Sequence, residues 1–287
     1  MSNILLTGAT GFIGSNILKE IQLDNKVFVI KRFESKKKII KSRNIKIITF
    51  KNYDSLSKKL KKIKADTVIH CATHFKTKHS YKDINKFVES NILLGNIILE
   101  NIKELKTKQF INFSSTWEDL NGVENNPKNL YAAYKKGFNC IIQHYKKNFL
   151  NIRFIDLMIV DTFGKNDNRK KLINTIRKNY HKKKTTTIVS KKLYLNLLNI
   201  QDIVSAIKII LKGNIQSGKY ILKNLNYFNI YKLVKFINKD NKQKIKVKWF
   251  SNAFIKDKTL KYKQLKSWNP KKSNVQNIKN LILNNLT

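Results

Sequence analysis

A tyrosine and a lysine one helical turn apart could carry out proton transfer in this chain. Tyr131 and Lys135 lie four residues apart in a segment predicted to open a helix, so their side chains share one helical face. An ammonium group beside a phenol favours the phenolate and lowers the pKa of the phenol from its usual value of about 10. The phenol could then donate a proton to a carbonyl oxygen while a hydride reaches the carbonyl carbon. The spacing therefore predicts general acid–base chemistry at Tyr131.

Three hydroxyl groups precede this helix, at the end of a predicted strand. Ser114, Ser115 and Thr116 follow the predicted strand 110–113. A hydroxyl group here would lie at the carboxyl end of a sheet, where it could hydrogen-bond the same substrate oxygen. The alternative for each of the three is a hydroxyl that satisfies the backbone at the strand terminus.

Three glycines near the start of the chain predict a phosphate-binding turn. Gly8, Gly11 and Gly14 follow the apolar run 4–6 at intervals of three residues. Gly8 allows a tight turn, Gly11 lets the backbone approach a pyrophosphate, and Gly14 lets a helix pack closely on the strand. The N–H groups and the positive dipole end of that helix would bind the phosphates. Behind a strand of the buried type, the motif favours a dinucleotide site over an ordinary tight turn.

The end of the second predicted strand bears on the choice of dinucleotide. In this type of fold an acid at that position usually hydrogen-bonds the adenosine ribose and selects NAD. Here the run 27–30 is followed by Lys31 and Arg32, and the first acid is Glu34. The two cations could pair with a 2′-phosphate. We therefore expect NADP to be favoured, with NAD as the alternative.

Strand-like and helix-like segments alternate through the first half of the chain. The strands are predicted at 4–6, 27–30, 45–50, 67–71 and 110–113, and the helices near 12–22, 54–63, 83–103 and 131–147. Apolar strands that are each followed by an amphipathic helix indicate a parallel sheet covered on both faces. The predicted class is α/β, a Rossmann-type doubly wound parallel sheet with a small C-terminal substrate-binding cap. The dinucleotide-binding domain is predicted at 1–157 and 190–222, and the cap at 158–189 and 223–287.

The net charge of +41 over 287 residues would suit a polyanionic partner. However, the basic residues are almost all lysines spread over the whole chain, and the arginines lie only at 32, 43, 153, 169 and 177. A specific reader of nucleic acid would be expected to favour arginine for bidentate contacts to bases. We therefore expect no specific nucleic-acid partner.

Other compositional features concern membranes, metals and compartment. No apolar run approaches 18 residues, and the first strand begins at once, so neither a membrane span nor a signal peptide is expected. Cys71 and Cys140 have no metal-ligand spacing with histidines. The prediction is a cytoplasmic protein with reduced thiols and no bound metal.

Taken together, these motifs resemble those of the extended short-chain dehydrogenase/reductases, specifically the NAD(P)-dependent nucleotide-sugar epimerase/dehydratase/reductase family. The glycine motif, the strand 66–72, Asn91, the hydroxyl cluster and the Tyr–Lys pair occur in the order of that family. The segment 265–270 is similar to its late Leu-Gly-Trp-x-Pro element, with Ser267 in place of the glycine. The resemblance runs over essentially the whole chain. It implies an enzyme that acts on a nucleotide sugar.

Three segments look like one branch of that family, the branch that contains CDP-abequose synthase. These are the Ser-Thr-Trp-Glu stretch at 115–118, the helix start at 129–133 and the loop at 161–169. In that branch the Asn-Asp-x-Arg segment begins the cap, so the Arg169 guanidinium could grip the substrate phosphates bidentately. The substrate-binding residues implied are Thr116, Asn168 and Arg169.

The resemblance also implies roles for individual residues. Tyr131 would be the acid/base, Lys135 its activator and a ligand of the nicotinamide ribose, and Ser115 the catalytic hydroxyl, with Thr116 as the alternative. Asn91 would support the sheet beside the cofactor. The residues implied to bind the cofactor are Gly8, Gly11, Phe12, Ile13, Gly14, Lys31, Arg32, Asn52, Tyr53, Ala72, Thr73, Asn91, Tyr131 and Lys135.

The leading hypothesis for function is reduction of a keto group on a CDP- or dTDP-linked deoxy-hexose or dideoxy-hexose. Sugar 4,6-dehydratases have an Asp-Glu pair directly after the catalytic threonine, whereas Thr116 and Trp117 follow Ser115 here. The alternatives are an epimerase that uses the same site and a non-catalytic NADP-binding regulatory or RNA-associated protein. A homodimer is expected through the helices at 83–103 and 131–147. The apolar residues that suggest this interface are Ile92, Leu93, Ile97, Ile98 and Phe138.

Overall fold

The structure is a computed structural model that describes residues 1–256, 258–259, 262–266 and 268–284. Ser267 lies outside the described residues. The chain forms two compact units. The first comprises Met1–Ile159, Ile207–Ile221 and Thr259–Gln264, and the second comprises Val160–Ala206, Leu222–Lys258 and Leu265–Thr287.

Strands and helices follow one another closely along the chain. The strands are β1 (Asn3–Thr7), β2 (Lys26–Arg32), β3 (Ile45–Phe50), β4 (Thr67–His70), β5 (Gln109–Ser115), β6 (Arg153–Ile159), β7 (Asp161–Phe163), β8 (Thr186–Ser190), β9 (Leu193–Leu195), β10 (Leu197–Asn199), β11 (Gly218–Leu222), β12 (Phe228–Asn229), β13 (Val247–Ser251) and β14 (Ile255–Lys256). The α-helices are α1 (Phe12–Ile21), α2 (Tyr53–Leu60), α3 (Ile84–Val88), α4 (Leu94–Glu100), α5 (Leu130–Asn148), α6 (Leu172–His181), α7 (Ile200–Lys212), α8 (Ile230–Lys239) and α9 (Val275–Leu283).

The first unit is built on a seven-stranded sheet with the order β11-β6-β5-β4-β1-β2-β3. Every pair of neighbours from β6 to β3 is parallel, and β1 lies between β4 and β2. The order reverses between β1 and β4, which is the switch point of a doubly wound fold and the place where ligands bind in such sheets. The predicted Rossmann-type fold is confirmed.

Helices α4 and α5 approach each other closely in the core of this unit. A Cβ atom on Gly95 would lie only 2.2 Å from the Phe138 ring, so position 95 must be glycine for this packing. Ile98 and Phe138 are fully buried here, so the expectation that they add apolar surface for a dimer was wrong. Between α3 and α4 the chain forms a π-helical segment, Glu89–Leu93, where the sequence predicted one continuous helix.

The second unit has its own apolar core and three small sheets. Residues 190–206 were predicted to belong to the dinucleotide domain. They lie in this second unit instead, because β9 pairs with both β12 and β14. The carboxylate of Asp202 accepts hydrogen bonds from the backbone N–H groups of Lys271 and Lys272, both at 2.9 Å. The Trp268 indole N–H donates to the Asp202 carbonyl at 3.0 Å. The start of α7 thus holds a segment some seventy residues further along the chain.

Candidate functional site

The three glycines form a single turn between β1 and α1. Gly8 has a φ of +71°, and a Cβ there would lie 2.6 Å from the Ala72 nitrogen. A Cβ on Gly14 would lie 2.3 Å from the Gly8 carbonyl oxygen. Gly11 is exposed at the N-cap of α1 and has no side chain to cap the helix. The turn therefore leaves a helix N-terminus open to an anionic group, as the pyrophosphate of a dinucleotide requires.

The residues after β4 lie beside this turn and are held by Asn91. The Asn91 side chain accepts hydrogen bonds from the Thr73 hydroxyl at 3.1 Å and from the His74 N–H at 2.6 Å, and it donates to the His74 carbonyl. The Ala72 N–H donates to the Thr7 hydroxyl oxygen at 3.1 Å. Asn91 is almost completely buried, so it fixes the backbone where the cofactor is predicted to lie.

The end of β2 presents Arg32, whose guanidinium is held by the π-helical segment. It donates to the Ser90 hydroxyl at 3.0 Å and lies 3.3 Å from a Glu89 carboxylate oxygen. It also approaches the Tyr53 hydroxyl, which in turn donates to the Glu89 carbonyl, and burial raises the pKa of Tyr53. Asn52 caps α2 by accepting the Ser55 N–H. Glu89 is a neighbour of the predicted cofactor residues that sequence reasoning missed.

The three hydroxyl groups after β5 differ in their surroundings. Ser114 is buried, and its hydroxyl group interacts with Asn139 and Asp156 inside the protein. Ser115 and Thr116 are partly exposed. The Ser115 Oγ accepts the Trp117 N–H at 3.2 Å at the start of a 3₁₀-helical stretch. Ser115 and Thr116 are therefore the two members of the cluster that a ligand can reach.

Tyr131 and Lys135 lie one turn apart at the start of α5, which Asn129 caps by accepting the Ala132 N–H. Tyr131 is partly exposed and meets the Phe75 ring edge-on, with 5.0 Å between ring centroids. Lys135 is 3% exposed, and its Nζ donates to the Phe113 carbonyl at 2.6 Å. Burial lowers the pKa of Lys135, whereas the carboxylates of Glu118 and Asp156 act in the opposite direction. The ammonium group is therefore fixed beneath the end of β5.

Two buried acids, Glu118 and Asp156, lie near the end of β5. Glu118 is fully buried; its Oε1 accepts the Ser115 N–H and its Oε2 accepts the Asn139 side-chain N–H, both at 2.8 Å. The Lys219 ammonium lies 3.6 Å from Glu118 and 3.9 Å from Asp156. Burial and the Asp156 charge raise the pKa of Glu118 to about 7. The sequence offered only one signal of this group, an acid three residues after Ser115.

The remaining predicted site residues belong to the second unit. The Arg169 guanidinium makes two bonds of 2.8 Å to the Asp167 carboxylate and a third, of 2.6 Å, to the Thr162 hydroxyl. Asn168 is exposed between them. The Asp167 carboxylate therefore orients the Arg169 side chain. A contact between Arg169 and substrate phosphates stays a prediction.

Among the residues that the structure describes, no helix has the length and apolarity needed to cross a bilayer. Nor does the described part of the chain contain a cluster of three or more histidine, cysteine or acidic residues that could hold a metal ion.

Comparison with known proteins places the chain in a family. Residues 4–226 match the model of the NAD dependent epimerase/dehydratase family. The chain is 28% identical over 272 residues to a CDP-abequose synthase from Yersinia pseudotuberculosis, covering 91% of this chain and 93% of that protein. It is 31% identical over 278 residues to a dTDP-D-glucose 4,6-dehydratase from Dictyostelium discoideum, covering 83% of this chain and 62% of that one.

A solved structure of a UDP-glucose 4-epimerase from Thermus thermophilus in complex with NAD shares the fold. It superposes with a TM-score of 0.77 at 17% identity and covers 98% of this chain and 97% of its own. The family match covers most of the chain and agrees with the strand order and the glycine turn described above. The chain belongs to the NAD dependent epimerase/dehydratase family.

Proposed function

We propose that this protein is a nucleotide-sugar reductase that uses NADPH to reduce a keto group of a CDP- or dTDP-linked deoxy-hexose, with Tyr131 as the proton donor. The observation that carries the proposal is the arrangement at the end of β5. A reachable Ser115 hydroxyl lies at the strand end, a partly exposed Tyr131 opens α5, and a buried Lys135 ammonium lies one turn further on. The similarity to CDP-abequose synthases supports the substrate class.

The surroundings of Glu118 argue against a dehydratase. Elimination of water from a sugar needs an acid and a base that reach the substrate. Glu118 is the nearest glutamate after the hydroxyl cluster, but it is fully buried and both of its oxygens are hydrogen-bonded inside the protein. Trp117 occupies the position before it and cannot transfer a proton. This arrangement favours carbonyl reduction over dehydration.

Each residue then has a defined task. The glycine turn and the N-terminus of α1 would hold the pyrophosphate, and Asn91 would keep the backbone after β4 in place beside it. When bound, NADPH supplies the hydride. Ser115 would hydrogen-bond the carbonyl oxygen while Tyr131 donates its phenolic proton to the same oxygen. The positive charge of Lys135 would stabilise the phenolate that remains.

The preference for NADPH over NADH rests on Arg32. Its side chain is one third exposed at the end of β2, where the adenosine ribose of a bound dinucleotide would lie. A 2′-phosphate could take the place of the Glu89 carboxylate on the guanidinium, while the other edge remains on Ser90. Lys31, partly exposed beside it, would add to the positive potential.

The proposed homodimer would use the helical segments 84–100 and 130–148. With Ile98 and Phe138 buried in the core, the apolar residues left for such a contact are Ile92, Leu93 and Ile97, which are half-buried. The mass in solution at micromolar concentration tests this proposal. A monomeric mass would contradict it.

The catalytic proposal is tested by following NADPH oxidation with CDP- and dTDP-linked 4-keto-6-deoxy sugars. Tyr131→Phe should lower turnover on the order of 10²-fold or more and leave cofactor affinity little changed, because the lost proton donor acts mainly in the transition state. Lys135→Ala should weaken both turnover and cofactor binding. Ser115→Ala should be slower than Thr116→Ala.

Other outcomes would redirect the proposal. Near-normal turnover by Tyr131→Phe with any accepted sugar would place the chemistry elsewhere. Sugar conversion without net NADPH consumption would identify an epimerase. RNA binding that is salt-sensitive, competes with NADPH and occurs without any turnover would favour the non-catalytic alternative.

A further inference from the structure

A hydrogen-bond network lies next to Ser115 and is formed by side chains from four elements: β5, the 3₁₀ stretch Thr116–Gly122, α5 and β6. Asn139 on α5 donates to both Ser114 and Glu118, at 2.9 and 2.8 Å. The Asn112 side chain on β5 donates to Asp156 on β6 at 2.8 Å and to the side-chain oxygen Oδ1 of Asn139 at 3.2 Å. All five residues are at least nine-tenths buried. Because these residues are hydrogen-bonded to one another, a change at one of them alters the hydrogen bonds of the others.

Glu118 is the member of this network that touches the predicted catalytic strand end. Its two oxygens each accept an N–H group, one from the Ser115 backbone and one from Asn139. A carboxylate suits this geometry because it is an acceptor only, whereas a neutral carboxyl group carries a proton that needs an acceptor of its own. The hydrogen bonds therefore fit the ionised form of Glu118, while burial opposes it.

Three charged groups face Glu118 from neighbouring elements, and the Tyr262 phenol also lies within its electrostatic reach. Asp156 faces it from β6, Lys219 from β11 and Lys135 from α5. Lys219 serves both acids and also lies over the Tyr262 ring, with its Nζ 5.0 Å from the ring centroid. Two carboxylates and two ammonium groups thus occupy one buried site. Protonation of one acid leaves the site with a net positive charge.

A cavity of about 200 Å³ lies against this network. Its polar lining residues are Asn112, Gln143, Lys146, Asp156 and Lys219, and its apolar ones are Phe110, Ile142, Phe154 and Ile155. The Asn112 Oδ1 is buried and has no hydrogen-bond partner among the described residues. A water molecule in this space would find hydrogen-bonding partners among Asn112, Asp156 and Lys219. Water there would let protons exchange with Asp156 and, through the network, with Glu118.

We propose that Glu118 is a positioning residue for Ser115, and that the reaction uses its ionised carboxylate. Protonation of the coupled Glu118–Asp156 pair weakens the hydrogen bond from the Ser115 N–H to Glu118. The turnover of the enzyme therefore decreases at acidic pH. The inference rests on the proposed function, since it takes Ser115 as the hydroxyl that contacts the substrate oxygen. The bond at stake is that between the Ser115 N–H and Glu118 Oε1.

The test is a reciprocal exchange of the acid and the amide. In Glu118→Gln the new amide N–H group faces the Asn139 N–H group, and in Asn139→Asp two carboxylates face each other. In the double variant the amide at position 118 can donate to the carboxylate at position 139, so this hydrogen bond is restored. The negative charge is then at position 139 and no longer accepts the Ser115 N–H. Asp119→Asn is the matched control, because Asp119 is equally buried in the same 3₁₀ stretch but is bonded to Lys136, Tyr262 and the Asn125 N–H.

Turnover, cofactor affinity and the pH profile of kcat are measured for all four variants. The expected result is a loss of about tenfold or more in kcat for each network single variant, with cofactor Kd within about twofold. The double variant should regain several-fold in kcat, with its acid limb displaced from that of the wild type. A Glu118→Gln variant that keeps the wild-type rate and acid limb would overturn the proposal. So would an equal loss in Asp119→Asn, which would mean that loosening of the stretch alone is responsible.

A second measurement separates this inference from the proposed function. The backbone amide proton signal of Ser115, observed by nuclear magnetic resonance with labelled serine, should shift between about pH 6 and about pH 8 as Glu118 ionises. The shift should be absent in Glu118→Gln. This titration needs no substrate, so it holds even where the wild type reduces none of the sugars offered. A Ser115 signal that does not move with pH in the wild type would refute the positioning role.

Discussion

The buried Glu118 makes the stability of this protein depend on pH in a way that one substitution should remove. In the folded protein burial and the neighbouring Asp156 raise the pKa of Glu118 from its ordinary 4.5 to about 7. The unfolded chain carries this acid in water at its ordinary value. The folded state therefore binds a proton at Glu118 over a pH range in which the unfolded state has already released it.

The sign and size of the effect follow from these two values. The stabilising contribution is complete below about pH 4.5 and is lost as the pH rises through about 7. At about 1.4 kcal/mol per tenfold change in the binding constant, the full effect is roughly 3 kcal/mol. Asp156 shares the site and its pKa is also raised by burial, so removing the Glu118 charge leaves part of the pH dependence at Asp156. We therefore expect a net change of about 2 to 3 kcal/mol.

The assay is urea unfolding of the wild type and of Glu118→Gln across the range from about pH 5 to about pH 8. The free energy of unfolding of Glu118→Gln, relative to that of the wild type, should increase by about 2 to 3 kcal/mol as the pH rises over this range. Glu124→Gln, an exposed glutamate in the following loop, is the control and should stay parallel to the wild type. Parallel curves for Glu118→Gln and the wild type would show that Glu118 titrates normally and would refute this reasoning.

Three further changes have defined outcomes. Arg32→Asp should narrow or invert a several-fold preference for NADPH over NADH in fluorescence-monitored binding, because the cation beside the ribose site is replaced by an anion; equal wild-type affinities for the two cofactors would contradict the assignment. Gly95→Ala should lower the free energy of unfolding by about 1 to 3 kcal/mol, since the new methyl group would overlap the Phe138 ring; an unchanged denaturation midpoint would mean that α4 and α5 do not pack this way. Asp202→Ala should lower the free energy of unfolding by about 2 to 4 kcal/mol, because the N–H groups of residues 271 and 272 lose their acceptor. An unchanged thermal unfolding temperature would show that these hydrogen bonds do not stabilise the protein.

Residues that act locally could be predicted from the sequence. The glycine turn depends on a spacing of three within one short segment, and the Tyr131–Lys135 pair depends on one helical turn. The doubly wound parallel sheet could be predicted from the alternation of apolar strands and amphipathic helices, because parallel strands need crossovers of this kind. These features need no knowledge of distant contacts.

Features assembled from separate parts of the chain could not be predicted in this way. Glu118, Asp156 and Lys219 stand far apart in sequence, and nothing distinguishes Lys219 from the many surface lysines around it. The partner of Arg32 was missed for a similar reason. Glu89 reaches it because the chain is π-helical at 89–93, a departure from regular geometry that periodicity does not reveal.

The first unit takes its last pieces from late in the chain, which bears on how the protein is made. Synthesis proceeds from the N-terminus, so β1 to β6 leave the ribosome well before β11 and the segment Thr259–Gln264. Until β11 arrives, Glu118 and Asp156 have no Lys219 beside them, and the edge of β6 is unpaired. In the nascent sheet these two acids must therefore be hydrated or protonated. The unpaired edge of β6 could also pair with strands of other chains until β11 covers it. Pairing of β11 with β6 then completes the sheet and brings the Lys219 ammonium group beside the two acids.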